Sequence, residues 1–172
     1  RKHGTMTNMH PTNSWTDGAY GKALEFDGSD DNLTIPSLGD EYRTIAMWIN
    51  AFDMYERKIL QMHKISGVDY AIDWGPKQNN DPSGSLYIRS SANSTWLARG
   101  NSNYFNKNGW HHLAVRWNVG ISRYELFADG DKKGTLGNAN NQMEIINSGS
   151  LECSNYLGKL DDLRIYSRSL TD

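Results

Sequence analysis

The sequence lacks the features by which several classes of protein are identified. Its 172 residues include a single cysteine, Cys153, so an intrachain disulfide is impossible and zinc cannot be held by a cysteine cluster. No apolar run approaches the roughly 20 residues of a membrane-spanning helix, so we expect no membrane insertion. Lysine and arginine together number 18 against 20 acidic residues and form no basic run, so we expect no nucleic-acid partner.

Motifs of the common hydrolases and nucleotide-binding proteins are also missing. The chain contains no Gly-x-Ser-x-Gly, no phosphate-binding loop and no His-Glu-x-x-His. A retaining glycosidase needs two carboxylates about 5 Å apart. On a strand such a pair would read Glu-x-Asp-x-x-Glu or a near variant, and that pattern does not occur. We therefore expect a protein that is not an enzyme, and a glucanase or lyase is the least favoured function.

The chain does contain a succession of short segments in which apolar and polar residues alternate. Hydrophobic residues make up 37% of the sequence and aromatic residues 11%, which suits half-buried strands. Strands are predicted at Leu24–Phe26, Asn32–Ile35, Thr44–Ala51, Ile59–Met62, Tyr70–Trp74, Ser85–Arg89, Thr95–Ala98, His111–Trp117, Tyr124–Ala128 and Leu157–Tyr166. At most one helical turn is expected, near Leu38–Tyr42. The pattern indicates one all-β domain over residues 1–172.

Three local patterns predict how the strands are arranged. Thr44–Ala51 is apolar at both odd and even positions, so both its faces are covered and it belongs in the centre of a sheet. The stretches Ala23–Asp31 and Gly158–Tyr166 both alternate, and we expect them to pair with each other. Asp129-Gly130 is a dipeptide favoured in tight hairpin turns.

Acidic residues gather in the two stretches that are expected to pair. Asp27, Asp30 and Asp31 lie in the first, and Asp161 and Asp162 lie in the second. Carboxylates at strand ends are usually solvated, so one interpretation is simply a polar sheet margin. The other is a Ca²⁺ site, because calcium takes several oxygen ligands from carboxylates and backbone carbonyls. The spacing alone leaves both interpretations open.

Four segments, in this order, resemble the laminin-G-like jelly-roll domains of the concanavalin A-like lectin/glucanase superfamily: Gly21–Asp31, Trp110–Val115, Leu126–Gly130 and Gly158–Leu170. The resemblance covers residues 4–170 and implies a two-sheet antiparallel β-sandwich. In many such domains one calcium lies where the early Phe-Asp-Gly approaches the late Asp-Asp. The resemblance therefore implies a structural Ca²⁺ bound by Asp27, the Gly28 carbonyl and Asp161.

Members of this family usually carry a further edge strand before the equivalent of residues 3–8. We therefore expect the chain to be a module or fragment of a longer protein, without its first edge strand and beside other domains of that parent. The resemblance points to an extracellular or cell-surface location whose targeting signal lies outside the fragment.

Three aromatic residues accompany the two longest polar loops, 75–84 and 99–109. Trp74 lies at the end of a strand before the first loop, Trp96 precedes the second, and Tyr104 lies within it. Sugar rings stack their apolar faces on aromatic side chains, while nearby Asn, Asp and Arg bind the hydroxyls. Trp74, Trp96 and Tyr104 are therefore the predicted ligand-binding residues.

The adjacent histidines and the other strand tryptophans are interpreted as scaffold. His111 and His112 point to opposite faces of a strand, so they cannot easily share one metal. Trp48, Trp110 and Trp117 are expected in the core, where most tryptophans of a sandwich lie.

The favoured function is a non-enzymatic, calcium-containing recognition module, carbohydrate-binding or adhesive, at a cell surface or in a secreted protein. Its partner would be a glycan or a cell-surface or extracellular protein. The alternative is a structural or assembly domain, such as an adhesin, surface-layer or virion component, that docks to protein rather than glycan.

Overall fold

A computed structural model of the chain describes residues 3–10, 12–38, 41–53, 57–62, 70–76, 84–90, 95–99, 108–121, 123–136, 146–147 and 149–171. Within these residues the chain forms 16 strands and no helix. The strands are β1 (Thr5–Thr7), β2 (Trp15–Asp17), β3 (Lys22–Asp27), β4 (Asn32–Ile35), β5 (Glu41–Tyr42), β6 (Thr44–Ala51), β7 (Arg57–Met62), β8 (Tyr70–Pro76), β9 (Gly84–Ser90), β10 (Thr95–Arg99), β11 (His111–Asn118), β12 (Arg123–Ala128), β13 (Asp131–Leu136), β14 (Ile146–Asn147), β15 (Leu151–Ser154) and β16 (Leu157–Tyr166).

The strands form two antiparallel sheets of seven and one pair, β14-β5. Sheet 1 has the order β1-β4-β15-β7-β8-β9-β10, and sheet 2 has the order β13-β12-β11-β6-β16-β3-β2. The predicted jelly-roll β-sandwich is therefore confirmed. No helix in the described part of the chain is long and apolar enough to cross a membrane.

The arrangement of sheet 2 follows the sequence patterns closely. The doubly apolar strand β6 is the fourth of seven, between β11 and β16, as predicted. β3 pairs with β16, so the two acidic stretches are neighbours. Asp129 and Gly130 have φ values of 51° and 85°, the left-handed conformation that a tight hairpin turn requires, and they join β12 to β13. Of the stretch Leu38–Tyr42, where at most one helical turn was expected, Glu41–Tyr42 form β5, and residues 39–40 lie outside the described residues.

The core lies between the two sheets. Ile45, Met47 and Ile49 of β6 point into it from sheet 2, and Leu151 and Cys153 of β15 point into it from sheet 1. All five side chains are buried, and burial raises the pKa of the Cys153 thiol well above its usual range. Cys153 is therefore a packing residue rather than a reactive thiol.

The side chains that alternate with the core residues of β6 lie on the outer face of sheet 2. Trp48, between Met47 and Ile49, lies on this face and is only partly buried. The prediction that Trp48 is a core residue is therefore wrong. Trp117 of β11 is buried in the core as predicted, whereas Trp110, just before that strand, is partly exposed.

Candidate functional site

The turn between β3 and β4 gathers three of the acidic residues singled out in the sequence. Single carboxylate oxygens of Asp27, Asp30 and Asp31 all lie within 4.8 Å of one another. Two hydrogen bonds within the turn hold its conformation. The Asp27 amide donates to Asp31 Oδ2 at 2.9 Å, and the Ser29 amide donates to Asp27 Oδ1 at 2.8 Å. We call residues 27–31 the acidic loop.

The acidic loop has the chemistry of a hard-cation site. Calcium binds oxygens at about 2.3–2.6 Å, so ligands on opposite sides of one ion lie about 5 Å apart. The spacing of the Asp27, Asp30 and Asp31 oxygens fits one ion on that criterion. Gly28, at φ 77°, makes the turn, and a side chain there would clash with Leu157 of β16.

Asp161 does not belong to this cluster. The register of β3 and β16 places Asp27 opposite Leu157, and Asp161 lies four residues further along the strand. At about 3.3 Å per residue, that separates the two aspartates by about 13 Å along the sheet. The structure therefore does not bring together the predicted ligand set of Asp27, Gly28 and Asp161, and it groups Asp27 with Asp30 and Asp31 instead.

Asp161 holds the β2–β3 hairpin loop, residues 18–21, against the outer face of sheet 2. Its side chain is buried, and Oδ2 accepts a hydrogen bond from the Tyr20 amide at 2.8 Å. The loop is closed by a 3.0 Å hydrogen bond from the Gly18 amide to the Gly21 carbonyl. A Cβ at Gly18 would collide with the Asp161 carboxylate, so this close approach requires glycine.

The hairpin loop carries Tyr20 onto Trp48. The ring of Tyr20 meets that of Trp48 edge to face, with centroids 5.5 Å apart, and Tyr20 remains 68% exposed. On its other side Trp48 packs against His112 of β11, with centroids 5.3 Å apart. The three residues Tyr20, Trp48 and His112, which we call the aromatic platform, occupy the outer face of sheet 2.

The two adjacent histidines have different partners, in agreement with the prediction from strand geometry. The His111 ring lies 2.8 Å from a carboxylate oxygen of Asp129, whereas the His112 ring packs on Trp48. Burial lowers the pKa of His112, against the opposing influence of Asp129 and Asp162. Burial therefore favours the uncharged form of the His112 ring.

A β-bulge adds polar groups beside the platform. Along β16, Asp161 lies opposite Trp48 and Arg164 lies opposite Ala46, so three steps on β16 match two on β6. The extra residue is accommodated with Asp162 at φ 47°. The Arg164 guanidinium binds the Asp162 carboxylate through two 2.8 Å contacts, one from Nε and one from Nη2. We call Asp162 and Arg164 the polar pair.

Two of the three predicted ligand-binding residues, Trp74 and Trp96, lie on sheet 1. Trp74 is on β8, opposite Arg57 and Leu86, and Trp96 is on β10, opposite Arg89. Both strands belong to sheet 1. The side chains of Trp74 and Trp96, and the whole of Tyr104, fall outside what the structure describes. Their role in ligand binding stays a prediction.

Comparison with known proteins places the chain in a family. A laminin-G model described as the concanavalin A-like lectin/glucanases superfamily matches residues 27–172, and the chain belongs to that superfamily. The resemblance noted in the sequence is thereby confirmed. A search of curated protein sequences finds no match.

Solved structures share the fold at low sequence identity. Domain 4 of AbnA, a GH43 extracellular arabinanase from Geobacillus stearothermophilus in complex with arabinotriose, is 21% identical with a TM-score of 0.67, over 98% of this chain and 84% of that one. The carbohydrate binding module CBM66 from Bacillus subtilis is 14% identical with a TM-score of 0.59, over 93% of this chain and 92% of that one.

A third similar structure is the CBM40 module of a Ruminococcus gnavus IT-sialidase bound to α2,3-sialyllactose. It is 11% identical with a TM-score of 0.60, over 87% of this chain and 91% of that module. Identities this low establish the fold alone. The chain has the lectin-like sandwich that these carbohydrate-binding modules share.

Proposed function

We propose that the chain is a non-catalytic recognition module that binds carbohydrate on the outer face of sheet 2. The aromatic platform carries this proposal, because Tyr20 is 68% exposed yet held in place through its backbone by Asp161. A sugar ring can stack its apolar face on such a side chain at little cost in conformational entropy. Sheet 2 supplies the rigid base beneath it.

The fold supports the same proposal. Two of the structures described above are carbohydrate-binding modules, and the third is a domain of an arabinanase in complex with arabinotriose. Arabinotriose and sialyllactose are ligands of those proteins, so they define glycans as the class of partner to test here.

The carboxylates beside the platform favour binding over catalysis. Asp161 is buried and accepts the Tyr20 amide, and Asp162 is held by Arg164. A glycosidase needs one carboxyl group with a raised pKa and a second one facing the sugar as nucleophile or base. These two aspartates are occupied in supporting a loop and an arginine.

Calcium is part of the proposal as a structural ion at the acidic loop. Asp27, Asp30 and Asp31 would hold it, with the Gly28 carbonyl as a further candidate ligand. Bound there, calcium would offset most of the charge of three neighbouring carboxylates and tie β3 to β4. We place the module outside the cell or at its surface, where the calcium affinities of extracellular modules, about 10⁻⁴–10⁻³ M, are sufficient.

The test is a glycan array probed with the parent and two variants. Tyr20→Ala should remove the signal of every glycan that the parent binds, because the exposed ring is the proposed contact. Trp15→Ala is the matched control: Trp15 is 45% exposed on the same hairpin but lies opposite core-facing Leu24. A parent without any glycan signal, or one matched by Tyr20→Ala, would refute the proposed function.

A second candidate function, docking to protein, has one observation in its favour. The turn between β11 and β12 exposes two apolar side chains, Val119 at 66% and Ile121 at 49%. Exposed apolar residues on a hairpin turn fit a protein partner better than a sugar. Loss of partner binding in a Val119→Ser, Ile121→Ser variant, with glycan binding unaffected, would identify this function.

A further inference from the structure

We infer that the aromatic platform selects uncharged, hydroxyl-rich sugars and discriminates against acidic ones, with Asp162 as the residue that sets this preference. The inference rests on the proposed function and specifies the class of ligand at that site. It follows from how the bulge of β16 arranges charge beside Trp48.

The bulge changes which side chains of β16 reach the outer face. Strict alternation from Asp161 would turn Leu163 outward and Arg164 inward. The extra residue reverses both, so Leu163 packs against the core while Arg164 lies opposite outward-facing Ala46. Bulges often re-aim side chains at functional sites in this way. Here the bulge places the polar pair on the same face as Trp48.

The polar pair lies next to the platform. Arg164 lies opposite Ala46, two positions from Trp48 on the same face of β6, and Asp161, which precedes Asp162, lies opposite Trp48 itself. The side chains of Asp162 and Arg164 remain open to solvent, being 31% and 59% exposed. A ligand stacked on Tyr20 and Trp48 therefore meets this pair at its edge.

The positively charged side chains of β16 beside the platform are already paired within the protein. Arg164 makes two charge-assisted hydrogen bonds to Asp162, the bidentate geometry by which arginine also binds acidic ligands. Lys159, the other outward cation of β16, lies 3.5 Å from Glu25 Oε2 and donates to Thr16 Oγ1 at 3.0 Å. Burial also lowers the pKa of His112, which disfavours a positive charge on its ring. An acidic sugar would have to displace Asp162 from Arg164 and would face the charge of that carboxylate.

An uncharged sugar meets no such obstacle. Each hydroxyl donates one hydrogen bond and accepts others, so neighbouring hydroxyls can bind a carboxylate and a guanidinium at once. The remaining lone pairs of Asp162 and N–H groups of Arg164 supply both functions without breaking the ion pair. Ordered charged groups of this kind fix orientation, while the aromatic rings supply contact area.

The experiment compares matched neutral and acidic probes: lactose with sialyllactose, and galactan with polygalacturonate. Their affinities are measured for the parent and for Asp162→Asn. Asparagine adopts the left-handed conformation that residue 162 requires, so the backbone is preserved. The substitution releases Arg164, and the ratio of acidic to neutral binding should rise at least fivefold. Asp131→Asn, which removes an exposed partner of Lys133 at the far edge of the sheet, should leave the ratio unchanged.

A second variant tests the same idea from the other partner. Arg164→Gln leaves the Asp162 carboxylate without its guanidinium, and acidic probes should then bind more weakly than to the parent. Binding of the neutral probe to the parent should also be insensitive to added salt, because no net charge is paired on binding. Thermal melting of each variant verifies folding.

The possible failures are distinguishable. If Tyr20→Ala weakens binding but the parent prefers acidic probes, or Asp162→Asn leaves the ratio unchanged, the inference is overturned and the proposed function stands. If Arg164→Gln strengthens acidic binding, the inference is also overturned. If the parent binds neither these probes nor any glycan of the array, or if Tyr20→Ala has no effect, the proposed function fails and the inference fails with it.

Discussion

The outer face of sheet 2 combines an aromatic ring, a carboxylate and a guanidinium in two places. In one place the carboxylate is buried, and in the other the ring and the guanidinium stay exposed to solvent. On β11–β13, Arg116 lies 4.7 Å above the centroid of the Phe127 ring and donates to Glu125 Oε2 at 2.8 Å. Lys132 reaches the other oxygen of Glu125, whose side chain is 3% exposed. Over β6 and β16, by contrast, Tyr20 of the hairpin loop 18–21 and Arg164 of β16 are largely open to solvent.

The difference lies in how fully the groups are used within the protein. Arg116 also donates to the Leu170 carbonyl at 3.1 Å, so the chain end binds to this part of the face. Glu125 is saturated by cations on both oxygens. The same residue types make scaffold when they are buried and saturated, and a binding surface when a ring and a charged pair stay accessible.

The largest loss of stability is expected when the buried charged group of Arg116, Glu125 and Lys132 is disrupted. Glu125→Ala leaves Arg116 and Lys132 without their shared carboxylate, and should lower the free energy of unfolding by about 3–5 kcal/mol. Denaturant titration measures it. Glu25→Ala, which removes an exposed partner of Lys159, is the control and should cost less than about 1 kcal/mol. Equal losses of stability in Glu125→Ala and Glu25→Ala would show that the buried charged group is no more important to the fold than an exposed ion pair.

The ionised carboxylate of Glu125 should also make the free energy of unfolding depend on pH in the acid range. Burial opposes ionisation of Glu125, but hydrogen bonds from Lys132, Arg116 and Asn118 outweigh it and lower its pKa from 4.5 to about 2. A lowered folded-state pKa contributes stability that is present above pH ~4.5 and is lost as the pH falls toward ~2. At about 1.4 kcal/mol per unit, that is about 3 kcal/mol. Glu125→Gln should lack this part of the acid dependence, and an unchanged acid profile would contradict the assignment.

Removing calcium should act on the acidic loop and spare the platform. Chelation should lower Tm, because an ion bound only to the folded state at a hundredfold excess over its Kd stabilises by about 2.7 kcal/mol. Asp30→Asn should abolish the response of Tm to calcium. Asp161→Asn should retain that response, since the register separates Asp161 from the loop. Loss of the calcium response in Asp161→Asn alone would favour the ligand set expected from the sequence.

A smaller effect tests how the platform is held. Asp161→Asn replaces a charged acceptor of the Tyr20 amide with a neutral one, and should weaken glycan binding by about threefold, or 0.7 kcal/mol. Asp17→Asn removes an exposed carboxylate from the same hairpin, where it binds Lys22, and should leave affinity unchanged. Equal affinities of both variants and the parent would mean that Asp161 does not position Tyr20.

The sequence was sufficient to predict the sandwich, the central place of β6 and the pairing of β3 with β16. The place of β6 and the pairing depend on apolar periodicity, which is visible in a single chain, whereas the two-sheet sandwich was implied by the resemblance to laminin-G-like domains. The orientation of Trp48 was not predictable in the same way. Residues 44–51 are apolar at both parities, so the pattern did not distinguish the core face from the outer one.

The site required information that periodicity does not contain. Pairing of β3 with β16 was predicted, but their register was not, and a shift of four residues decides whether Asp27 and Asp161 share an ion. The bulge at Asp162 also breaks the alternation by which faces are assigned. The available signal was Tyr20 itself, an aromatic residue in the glycine-bounded turn 18–21, where a core role is not expected.

The most direct measurement sets the platform against the loops favoured by the sequence. Calorimetry with the strongest glycan from the array is performed on the parent, Tyr20→Ala, Trp74→Ala and Trp96→Ala, with Tm measured for each. The account predicts that Tyr20→Ala weakens binding about tenfold, or 1.4 kcal/mol, at unchanged Tm. The two tryptophan variants should bind as the parent does wherever they remain folded. Full affinity in Tyr20→Ala, with lost affinity at unchanged Tm in Trp74→Ala or Trp96→Ala, would contradict the account and place the site on sheet 1.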